Sequence, residues 1–239
     1  MTVNPTSTSL VSGCEVTLLL ATYLDHTNLR PEATRQDIES LCREAVELGM
    51  AAVCIHSGRL RDALDIISGS PVRLCTVIGF PLGTDTTATK LFAARNALDL
   101  GADELDMVIN IGAVKDNDYA LVQQEIISLL DLKLEYDFQL KVIVETALLT
   151  TEELSAVTTL VSESGADYIK TSTGFSSRGV SLADIDVIKQ HKSERLKIKA
   201  SGGIRELDFA LQLIAAGVDR IGTSSGAVLI EEYRKRGGR

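Results

Sequence analysis

Two lysines near the ends of predicted strands are the residues of this sequence best suited to covalent chemistry. Lys170 lies in the stretch Ala166–Phe175, which is A-D-Y-I-K-T-S-T-G-F, and Lys199 lies in K-I-K-A-S-G-G-I-R. On adjacent strands, about 4.8 Å apart, two inward-pointing lysines would be neighbours. Burial and like charge then lower the pKa of one lysine well below its usual ~10.4, and the free amine can form a Schiff base with a carbonyl. The alternative is that one or both point outward, as we expect for Lys192 and for Lys197, although Lys197 shares the strand parity of Lys199.

A carboxylate in the middle of another predicted strand is suited to carry protons for such a lysine. Asp106 interrupts the apolar run E-L-D-M-V-I-N. Burying an unpaired carboxylate is costly, so Asp106 needs basic neighbours inside the fold, where it can act as a general acid or base. A structural ion pair is the alternative. Asp103 and Glu104, at the start of the same strand, are predicted to be solvated.

Strand parity brings further polar residues to the same predicted interior. Lys141 and Glu145 lie on one face of the fifth predicted strand, Asp25 lies on the first and Cys54 on the second. Each of these residues can take part directly in the chemistry or support it structurally.

Small-residue loops after the last predicted strands are suited to hold an anion. Gly202 and Gly203 follow strand seven, the segment G-T-S-S-G at 222–226 follows strand eight, and Gly174 follows strand six. Backbone N–H groups at helix starts bind phosphate well, because their unpaired donors and the helix dipole both favour an anion. One glycine loop is weak evidence, but two on adjacent strands beside a lysine pair favour a phosphate site.

The elements that must position these residues form a repeated pattern of strands and amphipathic helices. Three later helices end in G-A-D or G-V-D before the next strand, which is typical of parallel strands joined by helical crossovers. We predict a single-domain (β/α)8 TIM barrel over residues 22–239, preceded by a short arm or helix at residues 1–21. An open doubly wound sheet is the alternative, but G-x-G-x-x-G is absent after the first strand. The eight predicted strands are Tyr23–His26, Ala52–His56, Arg73–Gly79, Glu104–Asn110, Leu140–Glu145, Tyr168–Thr171, Leu196–Ala200 and Arg220–Gly222.

Composition excludes several functional classes. The formal net charge of −9 argues against a general nucleic-acid or anionic-membrane binder. No apolar run reaches the ~18 residues of a membrane span, and the polar first residues do not resemble a signal peptide, so we expect a cytoplasmic protein with reduced cysteines. The three histidines are scattered, and neither a Walker motif nor a nucleophile elbow is present. We therefore expect no metal and no cofactor.

The motifs together resemble the deoxyribose-phosphate aldolase family, which is a class I aldolase family on the (β/α)8 barrel. The resemblance covers Tyr23 to about Ala227. It rests on L-D-H-T-N-L-R-P-E-A-T, V-C-I, G-F-P-L-G, G-A-D-E-L-D-M-V-I-N-I-G, K-V-I-V-E-T, D-Y-I-K-T-S-T-G-F, K-A-S-G-G-I-R and I-G-T-S-S-G, in this order. It implies reversible cleavage of 2-deoxy-D-ribose 5-phosphate to acetaldehyde and D-glyceraldehyde 3-phosphate. Homodimers or homotetramers fit the family.

The resemblance also implies roles for individual residues. Lys170 matches the Schiff-base lysine, Lys199 the second lysine that perturbs it, and Asp106 the carboxylate that relays protons. The phosphate side matches Gly174, Gly202, Gly203, Gly222, Ser224 and Ser225, and the polar interior matches Asp25, Thr27, Cys54 and Lys141.

Two segments depart from the family pattern, and two other functions fit the barrel. Strand two continues as His56-Ser57 where many members have Asn-Pro, and the tail 233–239 matches no pattern, so Tyr233 is given no catalytic role. The alternatives are a phosphosugar isomerase that uses acid/base chemistry without a covalent amine, and a phosphometabolite-binding barrel without activity.

Overall fold

Eight parallel strands close into a barrel in chain order. The computed structural model describes residues 20–237. The predicted (β/α)8 barrel is confirmed and the open sheet is wrong, because β1 pairs with β8 as well as with β2. Strand bounds differ from the predicted ones by no more than two residues. They are β1 Leu24–Asn28, β2 Ala52–Ile55, β3 Arg73–Ile78, β4 Glu104–Val108, β5 Gln139–Ile143, β6 Tyr168–Lys170, β7 Lys197–Ser201 and β8 Arg220–Thr223.

Helices connect the strands on the outside of the barrel. None of those in residues 20–237 combines the length and apolarity needed to cross a membrane. They are α1 Arg35–Leu48, α2 Leu60–Ile67, α3 Thr87–Asp99, α4 Ile111–Lys115, α5 Tyr119–Leu130, α6 Thr151–Ser164, α7 Leu182–His191, α8 Leu207–Ala215 and α9 Gly226–Lys235. Short 3-10 turns occur at Ser57–Arg59, Asp131–Leu134 and Thr146–Leu148.

The two ends of the chain extend past the described residues. The predicted arm at residues 1–21 lies outside them except for Leu20 and Ala21, which are buried in the main core. At the other end, α9 finishes with Arg234 and Lys235 in its last turn, where cations oppose the negative end of the helix dipole. Tyr233 is buried in the main core.

Local sequence sets the ends of α1. Thr34 accepts a hydrogen bond from the backbone N–H of Asp37, and the Asp37 carboxylate accepts one from the Thr34 backbone, which is a capping box. Gly49 ends the helix in the left-handed conformation that glycine adopts at low cost. The apolar positions between these caps are buried against the strands, as their helical spacing predicts: Ile38, Leu41, Cys42 and Ala45.

The repeated G-A-D and G-V-D segments have a common structural purpose. In each, the glycine ends a helix with a positive φ, and the aspartate bonds the preceding strand through both its backbone and its carboxylate. The Asp219 N–H donates to the Ile198 carbonyl at 2.9 Å, and its Oδ2 accepts the Ile198 N–H at 2.8 Å. The carboxylates of Asp103 and Asp167 likewise accept the N–H groups of Leu74 and Leu140. The motif therefore fixes the start of every second strand against its neighbour.

The barrel interior has two chemically different halves. Beneath the mouth on the β1–β3 side lies a small apolar and thiol cluster formed by Leu29, Ala52, Cys54, Cys75 and Val77. The other half, from β4 round to β8 and β1, contains ionic side chains. The larger hydrophobic core lies between the barrel wall and the helices.

Candidate active site

Asp106 is the centre of the ionic half of the barrel. Its side chain is fully buried, and its register partner on β5 is Lys141. Lys170 on β6 and Lys199 on β7 are register partners of each other, so both predicted lysines point into the barrel at the same height. Lys170 Nζ and Lys199 Nζ each donate to Asp106 Oδ2 at 2.7 Å, and Lys141 Nζ donates to Asp106 Oδ1 at 2.9 Å. Three lysines therefore share one carboxylate.

The network continues below Asp106 toward the floor of the barrel. Lys199 Nζ lies 2.5 Å from Asp25 Oδ2, and Lys141 Nζ lies 2.5 Å from Glu104 Oε2. Arg220 at the start of β8 closes the group, with Nη2 lying 2.6 Å from Asp25 Oδ1 and 3.2 Å from Glu104 Oε2. Asp25 and Lys141 are thus in the interior, as strand parity predicts.

The burial of Glu104 differs from the sequence prediction. It was expected to be solvated at the strand entrance, but it is 1% exposed and pairs with Lys141 and Arg220. The signal was present, because Glu104 lies two residues before Asp106 and so faces the same side of β4. Arg220 was missed by sequence reasoning because it is the first residue of β8, whereas barrel active sites are expected at the C-terminal ends of strands. Lys197 is exposed at the barrel floor, with its ammonium 5.5 Å from the centre of the Tyr168 ring.

The network fixes the charges of its members. Burial raises the pKa of Asp106, but Lys141, Lys170 and Lys199 outweigh it and hold that pKa well below its usual range. Burial also lowers the pKa of Lys199, but Asp106 and Asp25 outweigh it and raise that pKa, so Lys199 keeps its proton. The carboxylates beside Lys141 raise its pKa against burial in the same way. In the resting site Asp106 is therefore an anion, and Lys199 is a cation beside Lys170.

Two thiols lie on the other side of Asp106. Cys54 and Cys75 are register partners on β2 and β3, and Cys75 Sγ donates to Asp106 Oδ1 at 3.1 Å. Burial raises the pKa of Cys75 well above its usual value, while the hydrogen bond with Cys75 lowers the pKa of Cys54. The Sγ atoms and one Asp106 oxygen lie within 4.8 Å of one another. The lysines already occupy both oxygens of that carboxylate, and their charges oppose the approach of a metal cation.

A cavity of 630 Å³ opens above the network at the C-terminal mouth of the barrel. Of the ionic network in the described residues, Lys170 alone lines this cavity, and it is 3% exposed. Thr27 also lines it and donates its hydroxyl to the Asp25 carbonyl at 2.9 Å. Five of the six residues predicted for the phosphate side line the same cavity, and Ser225 does not. The five are Gly174, Gly202, Gly203, Gly222 and Ser224.

Two of these positions favour glycine because other atoms come close. A Cβ on Gly222 would lie 3.2 Å from Lys199 Cε and 3.3 Å from the Ser201 Cβ, so the missing side chain makes room for Lys199. A Cβ on Gly202 would lie 2.9 Å from the Gly179 Cα. Gly179, which sequence reasoning missed, lets the loop after β6 pack on the loop after β7.

Glu145 anchors the loop that follows Lys170. It lies just after β5 with a φ of 55°, which is uncommon for a residue with a side chain, and it is 2% exposed. Its Oε2 accepts hydrogen bonds from the Thr173 backbone N–H, at 3.1 Å, and from the Thr173 hydroxyl. The Thr173 hydroxyl oxygen in turn accepts the N–H of Phe175 at 3.1 Å. Glu145 therefore holds the segment between Lys170 and Phe175 instead of joining the ionic network.

Three aromatic rings border the mouth of the barrel. Phe80 packs edge-on against Phe175, with ring centres 5.3 Å apart, and His56 packs edge-on against Phe80 at 5.9 Å. His56 belongs to the His56-Ser57 departure, and its Nε2 lies 3.1 Å from the Leu29 carbonyl oxygen. His56 thus forms part of an aromatic wall with Phe80 and Phe175, and Phe175 lines the cavity.

Comparison with known proteins shows similarity over most of the chain. The family model described as DeoC/LacD family aldolase matches residues 19–229. A protein from Thermococcus gammatolerans named deoxyribose-phosphate aldolase is 46% identical over 217 residues, which are 90% of this chain and 96% of that protein.

Solved structures agree in fold. A structure titled "QR15, an Aldolase" has a TM-score of 0.85 at 41% identity, covering 91% of this chain and 96% of that chain. A deoxyribose phosphate aldolase from Aeropyrum pernix, whose title describes a unique tetrameric structure, has a TM-score of 0.84 at 31% identity. That match covers 94% of this chain and 98% of the Aeropyrum pernix chain.

Proposed function

The chain belongs to the DeoC/LacD family of aldolases, and we propose that it cleaves 2-deoxy-D-ribose 5-phosphate reversibly through a Schiff base on Lys170. The products are acetaldehyde and D-glyceraldehyde 3-phosphate. One observation carries this assignment to Lys170: its ammonium is the part of the ionic network that borders the cavity, held 2.7 Å from Asp106 Oδ2. A lysine so placed meets a substrate carbonyl while the rest of the network stays beneath it.

The covalent step begins with the unprotonated amine of Lys170. It adds to the C1 aldehyde carbon of the open-chain sugar, and loss of water gives an iminium ion. The iminium accepts electrons when the C3 hydroxyl loses its proton, so the C2–C3 bond breaks and D-glyceraldehyde 3-phosphate leaves. Protonation of the remaining two-carbon enamine and hydrolysis of the iminium release acetaldehyde and restore the amine.

Asp106 and Lys199 serve the proton transfers in this scheme. Asp106 accepts hydrogen bonds from both lysines, so with a water molecule it can carry protons between Lys170 and the substrate hydroxyl. Lys199 keeps its proton, because Asp106 and Asp25 raise its pKa against burial. Its positive charge stabilises the alkoxide that forms during addition to C1. Lys141, Asp25, Thr27 and Cys54 support these residues from the interior.

The phosphate group binds at the rim of the cavity, at the loops after β6, β7 and β8. The backbone N–H groups of the loops at Gly174, Gly202 and Gly203 and the segment before α9 supply donors, with Ser224 and Ser225 at the start of that helix. This places the phosphate at the strand seven and eight side of the mouth, where barrels often bind it. The sugar then spans the cavity with its aldehyde end at Lys170.

Two further properties follow from the same proposal. We propose a homodimer or homotetramer, supported by the tetrameric structure described for the Aeropyrum pernix relative. A cytoplasmic location fits a phosphorylated substrate, because a charged sugar does not cross an apolar bilayer unaided. The reaction scheme uses neither a metal nor an organic cofactor.

Reductive trapping tests the covalent step. Incubation with substrate and sodium borohydride should reduce the two-carbon iminium to an ethyl group on Lys170, located by peptide mapping. Lys170→Leu should lose the label and at least about a thousandfold in kcat while keeping the folded circular dichroism spectrum. The matched control Lys192→Leu, on the outer surface, should keep both label and activity. Label at another lysine, or turnover of the substrate without any label, as expected of an isomerase, would overturn the proposal.

A further inference from the structure

Six charged side chains form a closed ring of alternating sign beneath Lys170. Each neighbouring pair lies within ion-pair distance: 2.6 Å for Arg220–Asp25, 2.5 Å for Asp25–Lys199 and 2.7 Å for Lys199–Asp106. The other three are 2.9 Å for Asp106–Lys141, 2.5 Å for Lys141–Glu104 and 3.2 Å for Glu104–Arg220. This ionic ring therefore returns to its starting point without a gap.

The ionic ring is balanced in charge without Lys170. It contains three cations and three carboxylates, and Lys170 is attached to it from outside through Asp106 Oδ2. A proton on Lys170 thus has no net counter-charge in the ring. With that proton the buried network carries a net positive charge, and a net buried charge is costly.

Arg220 and Glu104 are the part of the ring farthest from the chemistry. Neither lines the cavity, and both lie in the first position of their strands, β8 and β4. They contact neither Lys170 nor Asp106 directly, so they reach Lys170 through Asp25, Lys199 and Lys141. Substituting them changes the charge of the ring while leaving every contact of Lys170 in place.

We propose that Arg220 and Glu104 are positioning residues that set how much of Lys170 is unprotonated at neutral pH, by keeping the ionic ring neutral. The inference rests on the proposed function, because it needs Lys170 to react as an amine. Without Arg220 the ring carries an excess negative charge, which holds a proton on Lys170. Without the Glu104 carboxylate it carries an excess positive charge, which expels that proton.

The other ionisable groups around Lys170 are the same in every protein to be compared. They come from each neighbouring strand and from the cavity wall, and the comparison of variants cancels their contribution. On neighbouring strands these groups are His26 on β1, Cys54 on β2, Cys75 on β3 and Glu145 after β5. Farther down, toward the barrel floor, they are Tyr168 on β6 and Lys197 on β7, and at the cavity they are Arg30, Asp37, Glu44 and Arg205.

The pH dependence of kcat/KM for cleavage of the deoxyribose phosphate tests the proposal. The acid limb reports a group of the free enzyme that must lose its proton. Arg220→Met should move the midpoint of that limb up by about one pH unit, and Glu104→Gln should move it down by about as much. The double variant, whose ring is neutral again, should return to within about 0.3 pH units of the wild type. Shifts of the same sign, or no shift in either single variant, would overturn the proposal.

A purely structural role would lower activity without moving the limb in opposite directions. Arg220→Lys keeps the charge, so it should retain the wild-type midpoint even if its kcat falls. If Arg220→Met does not fold, the single variants Arg220→Lys and Glu104→Gln still test the proposal. A shifted midpoint in Arg220→Lys would count against the charge argument. Borohydride trapping of the wild type separates the two proposals: no label on Lys170 means that the proposed function fails. Normal labelling with an unmoved limb in Glu104→Gln means that only the ring proposal fails.

Discussion

Lys170 and Lys199 donate hydrogen bonds to one and the same atom, Oδ2 of Asp106, each at 2.7 Å. The two residues are register partners on β6 and β7. Because both nitrogens bond the same oxygen, they cannot be farther apart than the sum of these two distances. Two ammonium groups at such a short distance repel each other strongly in a site that excludes water. Because Asp106 and Asp25 outweigh burial and raise the pKa of Lys199, that lysine stays charged beside Lys170.

Replacing Lys199 should therefore change the pH at which the enzyme becomes active. Lys199→Leu removes the charged neighbour, so Lys170 keeps its proton to higher pH. We expect the acid limb of kcat/KM to move up by about one pH unit and activity at neutral pH to fall at least about tenfold. Lys197→Leu, on the same strand but exposed at the barrel floor, is the matched control and should leave the limb in place. An unchanged limb in Lys199→Leu would contradict the electrostatic role of this residue.

A single methyl group at Gly222 should disturb the same pair. The added Cβ would lie 3.2 Å from Lys199 Cε, which is tight for a buried side chain, so Lys199 or β8 must shift. Because displacements of this size at a reacting centre are costly, we expect Gly222→Ala to lower kcat/KM by about tenfold or more. Gly58→Ala is the control, since a Cβ there has no atom within 4 Å and the φ is ordinary. Equal activity of the two variants would show that Lys199 tolerates the displacement.

The fold could be predicted from the sequence because local signals and long-range order agree. Each helix end in G-A-D or G-V-D marks the start of a strand, and the positive φ of Gly101, Gly165 and Gly217 explains why glycine recurs there. Closure of the sheet did not follow from any single segment. The prediction of closure required eight strands of similar length with no change in composition between them. The number of strands favoured a closed barrel over an open sheet.

The site could be predicted only in part. Lys170, Lys199 and Asp106 stand out because charged residues interrupt apolar strands. Glu104 and Arg220 lie at strand starts, where a charged residue is usually solvated. Their burial depends on the tilt of the strands, which places the first residue of β8 beside Lys199 of β7 and beneath Asp25. Register across a closed barrel is a global property, so parity along one strand could not reveal it.

The aspartate of the repeated G-A-D and G-V-D segments should stabilise the barrel. Asp219→Ala removes the carboxylate that accepts the Ile198 N–H at 2.8 Å. Loss of this charge-assisted bond should lower the free energy of unfolding by about 1–2 kcal/mol, measured by urea denaturation. Asp219→Asn keeps an acceptor and should lose less, and Asp186→Ala, on the exposed face of α7, should be close to neutral. A loss in Asp186→Ala as large as in Asp219→Ala would argue against a specific role of the strand-start bond.

Asp184 ties three elements together near the loop that carries Thr173. Its Oδ2 accepts hydrogen bonds from Arg178 Nη1 at 2.6 Å, from the Thr146 hydroxyl at 3.0 Å and from the Ser181 N–H at 2.9 Å. Burial raises the pKa of Asp184, but these donors outweigh it and hold the pKa below its usual value. A carboxylate with a depressed pKa in the folded state stabilises the fold above its unfolded pKa and loses that contribution as the pH falls through the folded pKa.

Asp184→Asn should therefore change how stability depends on acid. At about pH 7 the variant lacks the charge, and we expect its free energy of unfolding to be about 1–3 kcal/mol below that of the wild type. As the pH falls below about 4, the unfolded wild-type chain binds a proton at Asp184, and the folded protein does so at still lower pH, so the difference between the two proteins should shrink. Urea denaturation at several pH values between about 7 and 3 measures this difference directly. Asp186→Asn, two residues farther along α7 and exposed, should match the wild type throughout. A difference for Asp184→Asn that stays constant with pH would mean that the lost contacts, and not the lost charge, account for its effect.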